Sequence, residues 1–180
     1  MNQLIRDVQP VSEIHDEQFK TAMRHLVGGV AIITAGQDEI ISGMTVTSLT
    51  ALSAAPPRLM VGVNRTASSF PLITRHAAFG VSIPRADQFA VASRFGNGKV
   101  PGRERFAGAE WITLSTGAPL LANALAVFDC RVEEIIERHS HAIIIGEPIA
   151  ILATEPAAGL GYWHGSYAAV GRTERLRSGG

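Results

Sequence analysis

Apolar positions fall in continuous or alternating runs over most of the chain, and helical spacing is confined to three short stretches. A polar leader, residues 1–15, contains Pro10. Asp16 then offers an N-cap, and Phe19, Met23, Leu26 and Val27 share one face of a helix expected over residues 17–27. Gly28 and Gly29 stop it. Residues 30–34 read as a strand, 36–39 as a turn and 40–50 as extended chain rich in Ile, Thr and Val. Pro56 and Pro57 break this run before a buried strand over 58–63. A short helix over 69–76 opens at Ser68 or Ser69 and tolerates Pro71 in its first turn. A strand over 79–83 follows, and Phe89, Ala92 and Phe95 give helical spacing over 87–95. After a Gly-rich loop over 96–105, two long runs, 125–138 and 141–153, flank a charged turn and read as neighbouring antiparallel strands. Residues 160–170 form a last strand candidate. Strands outnumber helices and are not spaced as βαβ units. The pattern predicts a mostly β fold with short helices, a barrel or sandwich, in one domain over 16–170 with a flexible tail over 171–180.

Composition narrows the partners. The 180 residues are 46% hydrophobic and 18% charged, enough apolar material for a single packed core. Sixteen basic residues balance sixteen acidic ones, which argues against nucleic acid or an anionic membrane as a partner held by bulk charge. Only Arg172, Arg175 and Arg177 cluster, and Glu174 dilutes them. The lone Cys130 excludes an intrachain disulfide and a multi-cysteine zinc site, and its apolar-rich surroundings suit a packed thiol. No apolar signal segment opens the chain, and residues 141–153 are too short to span a bilayer and are interrupted by Glu147 and Pro148. A soluble, cytoplasmic protein is the expectation.

Several familiar chemistries are missing: no Gly-x-Gly-x-x-Gly, no phosphate-loop Lys-[Ser/Thr] and no Gly-x-Ser-x-Gly elbow. What remains is subtler. Thr45, Thr47, Ser48, Thr50 and Ser53 crowd the segment before Pro56, where they suit either a Thr-rich strand or the polar edge of a heterocycle. In extended chain Thr45, Thr47 and Ser53 would share one face. The segment Asn64-Arg65-Thr66-Ala67-Ser68-Ser69 joins a cation and hydroxyls to a helix start, the makings of an anion site or of a solvated capped loop. His139 and His141 would project from one strand face, but no third ligand stands at metal spacing. The aromatics Tyr162, Trp163 and Tyr167 could stack on a planar ring or simply close a barrel end.

In this order, these segments resemble the FMN-binding split β-barrel flavin reductases, the reductase components of two-component flavin-dependent monooxygenases. The resemblance runs from about Phe19 to Val170. It is carried by residues 19–34, by Gly43-Met-Thr-Val-Thr-Ser-Leu49 with Pro56-Pro57, by residues 64–70, Phe95-Gly96, Gly117-Ala-Pro-Leu120 and His141-Ala-Ile-Ile-Ile-Gly-Glu147. It implies that Thr45, Val46, Thr47, Ser48 and Leu49 line the isoalloxazine and ribityl chain, with Thr50 and Ser53 nearby. It sets Asn64, Arg65, Thr66, Ala67 and Ser68 at the flavin phosphate and ribityl groups, and Arg94 and Phe95 at a further flavin-proximal segment. His141 matches the family's histidine at the nicotinamide nucleotide, and Tyr167 matches an aromatic near it. The chain departs from the family at Pro148 and at Ser140, where Val and an acidic residue are usual. The implied activity is hydride transfer from NADH or NADPH to FMN or FAD, in a homodimer that supplies reduced flavin to a partner monooxygenase. The chemistry belongs to the cofactor, consistent with a sequence that offers no acid–base dyad. The alternatives are a flavin-binding electron-relay or storage protein of the same fold, a different oxidoreductase on the split barrel, and an apolar β domain that acts only as a partner protein.

Overall fold

The computed structural model describes residues 15–171. Its elements run α1 (Asp16–Met23), β1 (Gly28–Gly29), β2 (Ala31–Gln37), β3 (Ile40–Val46), β4 (Thr50–Ala54), β5 (Pro57–Asn64), α2 (Phe70–His76) and β6 (Ala78–Ile83). They continue with α3 (Phe89–Gly96), β7 (Trp111–Thr113), β8 (Pro119–Leu121), β9 (Ala126–Arg138), β10 (His141–Ala153), β11 (Gly159–Trp163) and β12 (Ser166–Val170). The leader and tail, with Arg172, Arg175 and Arg177, lie outside the described residues except for His15 and Gly171.

Two strands of 13 residues, β9 and β10, form the spine: β10 alternates buried with more open positions over its first half, and β9 buries Val127, Asp129 and Cys130. Around them a seven-stranded antiparallel sheet takes the order β3-β2-β6-β9-β10-β5-β4. The register of β10 slips between Ile145 and Gly146 and again between Pro148 and Ala150, which places the proline at an irregularity where its missing N–H does least harm. The sheet curls on itself. Ser48, just past β3 at one edge, donates its hydroxyl to Gly62 O of β5 at 2.8 Å near the other. This is the expected barrel, mostly β with short helices. One core cluster packs Ile33, Val61, Val63, Phe79, Val81 and Ile144 against Ile73 of α2. A second packs Ile32, Leu120, Leu121 and Val127 against Val91, Ala92 and Phe95 of α3. Among the described residues no helix is long and apolar enough to cross a membrane.

Four local expectations are corrected. Helix α1 is capped by His15 rather than Asp16, through a reciprocal pair with Gln18, and it ends at Met23. It stops early because Gly28 and Gly29 are needed as strand β1 against Tyr162 and Gly161 of β11. A side chain at Gly28 would meet Thr47 at 2.8 Å, so only glycine allows this approach. The extended run 40–50 breaks after Val46, where the chain leaves β3 for β4, so Thr45, Thr47 and Ser53 do not share one strand face. The turn expected at 36–39 is confined to Asp38 and Glu39, with Asp38 at φ 52. The last strand is a hairpin, β11 and β12, which pairs with β1 in a separate three-stranded sheet.

Candidate functional site

A cavity of about 420 Å³ opens where three elements meet. Thr45, Val46 and Thr47 at the end of β3 form one wall; Ser93, Gly96 and Asn97 at the end of α3 form the second. Tyr162, Gly165 and Tyr167 of the β11–β12 hairpin, with Val30, complete it. The first two walls are tied together, because Thr45 Oγ1 donates to Ala92 O of α3 at 2.6 Å. The phenols of the third pack edge to face at a centroid distance of 5.2 Å. Burial first, and Tyr162 second, raise the pKa of Tyr167, so its phenol stays protonated and able to donate. Among the described residues no Asp, Glu, Lys, Arg or His side chain lines the cavity. Hydroxyls, one amide, aromatic faces and two valines suit a flat, uncharged but polar ring system.

The other expected residues fall into three groups. Around the β5–β10 end, Asn64 stands opposite His141 in the strand register. Asn64 Oδ1 accepts from both the amide and the hydroxyl of Thr66 at 2.9 Å, which folds the loop into a tight turn. The Arg65 amide donates to Ser140 O, and the Ala67 amide to Asn64 O. Ser68 Oγ lies 2.7 Å from Ser42 Oγ on β3, which pins the loop to the strand that carries Thr45. Ser140 Oγ lies 2.9 Å from His141 Nδ1. Arg65 departs from expectation: its guanidinium lies 2.5 Å from Glu137 and donates to His139 O at 3.1 Å. The cation is not free for an anion until that pair opens.

In the second group, Ser48, Leu49, Thr50 and Ser53 follow the break in β3 and lie outside the cavity. Ser48 Oγ bonds Gly62 O, Leu49 packs on the core, and Thr50 and Ser53 sit on β4, paired to β5. The third group is Arg94 and Phe95. Phe95 is 2% exposed, wedged between Phe106 and Trp111 and over Gly43, so its ring is core and supports the cavity from behind. Arg94 Nη1 donates to Ala107 O, which turns its charge toward the following loop.

The cavity also recruits residues the sequence reading did not single out as site residues. Ser93 and Asn97 carry no signal before α3 is placed against β3. Tyr162 had one, the aromatic spacing with Tyr167. Cys130 is buried, and burial followed by the charge of Asp129 pushes its thiol up to about 12, which keeps it an inert packing group. Among the described residues no three His, Cys, Asp or Glu side chains converge as a metal set.

Known proteins share this fold. An FMN reductase (NADH), RutF, from Bradyrhizobium diazoefficiens is 32% identical over 179 residues, covering 99% of this chain and 96% of its own. Among solved structures, BorF, the flavin reductase component of a bacterial two-component tryptophan halogenase, superposes with a TM-score of 0.81 at 27% identity, over 88% of this chain and all of its own (100%). The NADH:FAD oxidoreductase SgcE6 of Streptomyces globisporus, solved with NAD and FAD fragments, gives 0.80 at 26% identity, over 91% and 99% of the two chains. Residues 23–171 match the family described as flavin reductase like domain, and the chain belongs to that family.

Proposed function

We propose that the protein is an NAD(P)H:flavin oxidoreductase that passes hydride from NADH or NADPH to FMN or FAD. The observation that carries this reading is the cavity at Thr45–Thr47, uncharged, partly aromatic and lined by hydroxyl and amide groups. That donor set fits the isoalloxazine ring, whose polar edge needs hydrogen bonds rather than a counter-charge. When bound, a flavin would supply the redox chemistry as the hydride acceptor.

The chain's own residues bind and orient. Thr45, Val46 and Thr47 form one wall, and Val30 and the two phenol rings keep water from the ring faces. The protonated Tyr167 phenol is available to donate to a carbonyl of either ring. Thr66 and Ser68 hold the 64–68 loop in shape, and Arg65 meets the flavin phosphate by exchanging Glu137 for it. Through Nε2, the nitrogen left by its contact with Ser140, His141 reaches the nicotinamide nucleotide. No side-chain general base is required, in keeping with a cavity lined, among the described residues, by no Asp, Glu, Lys, Arg or His.

The reduced flavin would be consumed by a separate flavin-dependent monooxygenase, and the reductase would act as a homodimer. BorF, the reductase component of a two-component tryptophan halogenase, supports the first statement. The test is direct: mix the purified protein with FMN or FAD and NADH or NADPH and follow the loss of reduced-nucleotide absorbance. Turnover with at least one pair is expected. A protein that turns yellow with bound flavin and oxidises neither nucleotide would instead be an electron-relay or storage module.

A further inference from the structure

Strand β3 is an edge strand, so one side of its backbone has no neighbouring strand to satisfy it. The carbonyl of Gly43 receives a side chain instead. Arg105, in the 3₁₀ turn Arg103–Phe106, donates through Nη1 to Gly43 O and through Nε to Val100 O, the latter at 2.9 Å. Its residue is 7% exposed, and among the described residues no carboxylate lies within ion-pair distance of it. A buried guanidinium without a counter-charge is more costly than an apolar side chain of the same size. Packing alone therefore does not account for an arginine here. The two carbonyls do, because the guanidinium fork bonds both at once.

Those carbonyls sit just behind two walls of the cavity, on the strand and on the loop that continue from them. Gly43 lies two residues before Thr45 on β3, and Val100 lies in the loop that leaves α3 through Gly96 and Asn97. The loop lies close on the strand, since a Cβ at Gly102 would meet Ser42 Oγ at 2.9 Å. The same junction is drawn in by Phe95, whose ring would stand 2.7 Å from a Cβ at Gly43. We propose that Arg105 is a positioning residue for the flavin: it staples the 97–102 loop to edge strand β3 and so fixes the separation of the walls that hold the ring. This rests on the flavin reductase reading.

The test uses the full chain with Arg105→Met and Arg105→Lys. Amide hydrogen exchange is measured without ligand, and FMN and FAD affinity by fluorescence quenching. For Arg105→Met, exchange over 97–102 should rise about tenfold while β9 and β10 stay protected, and flavin Kd should rise about tenfold, the loss of charged hydrogen bonds. Arg105→Lys keeps the charge but loses the fork, and should fall between. Unchanged exchange over 97–102 in Arg105→Met would overturn the proposal. So would faster loop exchange with flavin Kd within about twofold of wild type, since the loop would then be tethered without shaping the site. If Arg105→Met exchanges throughout β9 and β10, Arg105→Lys decides: a local rise with weaker flavin supports the staple, and a global rise in both overturns it. A wild-type protein that binds no flavin defeats the reductase reading instead, while the exchange measurement still reports on the staple.

Discussion

His141 begins β10 opposite Asn64, with Nδ1 held 2.9 Å from Ser140 Oγ. That contact orients the ring and leaves Nε2 for the nicotinamide nucleotide in the proposed complex. Replacing His141 by Ala should raise KM for NADH or NADPH about fivefold to tenfold, the worth of one hydrogen bond, with flavin affinity little changed. Steady-state kinetics at saturating flavin measure it, and an unaltered nucleotide KM removes His141 from the site. Arg65 makes a sharper case, because its charge is shared with Glu137, both about half exposed. A surface ion pair of this kind is worth about 0–1 kcal/mol, so Glu137 competes with a phosphate only weakly. Glu137→Gln should therefore tighten FMN about twofold to fivefold and leave riboflavin, which lacks the phosphate, unmoved. Equal changes for both ligands would place the phosphate elsewhere. The sequence showed the cation and the hydroxyls of residues 64–68 but not their engagements, because Glu137, His139 and Ser42 reach the loop only through strand pairing.

Elements were legible where a periodic run was long. The runs at 125–138 and 141–153 appear almost unchanged as β9 and β10, because each is long enough to outweigh local propensity. Strands β7 and β8, three residues each, leave no period to read. The hairpin at the cavity was concealed differently. Its two arms are apolar and aromatic enough to read as one run over 160–170, and the turn between them is His164-Gly165 rather than Asn-Gly or Asp-Gly. Both turn residues have positive φ, 49 and 82, the geometry of a type I′ turn that matches strand twist. That turn sets the spacing of Tyr162 and Tyr167 across the hairpin register. Gly165→Ala forces a Cβ into the left-handed region and should cost about 1–2 kcal/mol, read as a lower urea midpoint. Flavin affinity should fall with it. If stability falls and flavin binding does not, the tyrosines are barrel closure and not a ring wall.

At the scale of the whole molecule, apolar surface is left uncovered on one chain. Ile151 and Leu152 at the end of β10 are 53% and 49% exposed, and Leu52 of β4, Trp163 and Val170 are also largely open. Adjacent exposed aliphatic residues on a strand lose free energy to water that a partner would restore, at about 25 cal/mol per Å² buried. The balance of sixteen basic and sixteen acidic residues adds no net repulsion between copies. A homodimer follows as the expected state, with twice the 19.1 kDa chain mass in light scattering. Replacing Ile151 and Leu152 together by Glu places like charges where two copies would meet, and should leave a folded chain of single mass. Their exposure in the single chain means that the substitutions spare its core, so far-UV circular dichroism should be unchanged. If the double variant keeps the dimer mass, the contact lies on another face. If the wild type itself runs at 19.1 kDa, the open end of β10 is not a self-association surface.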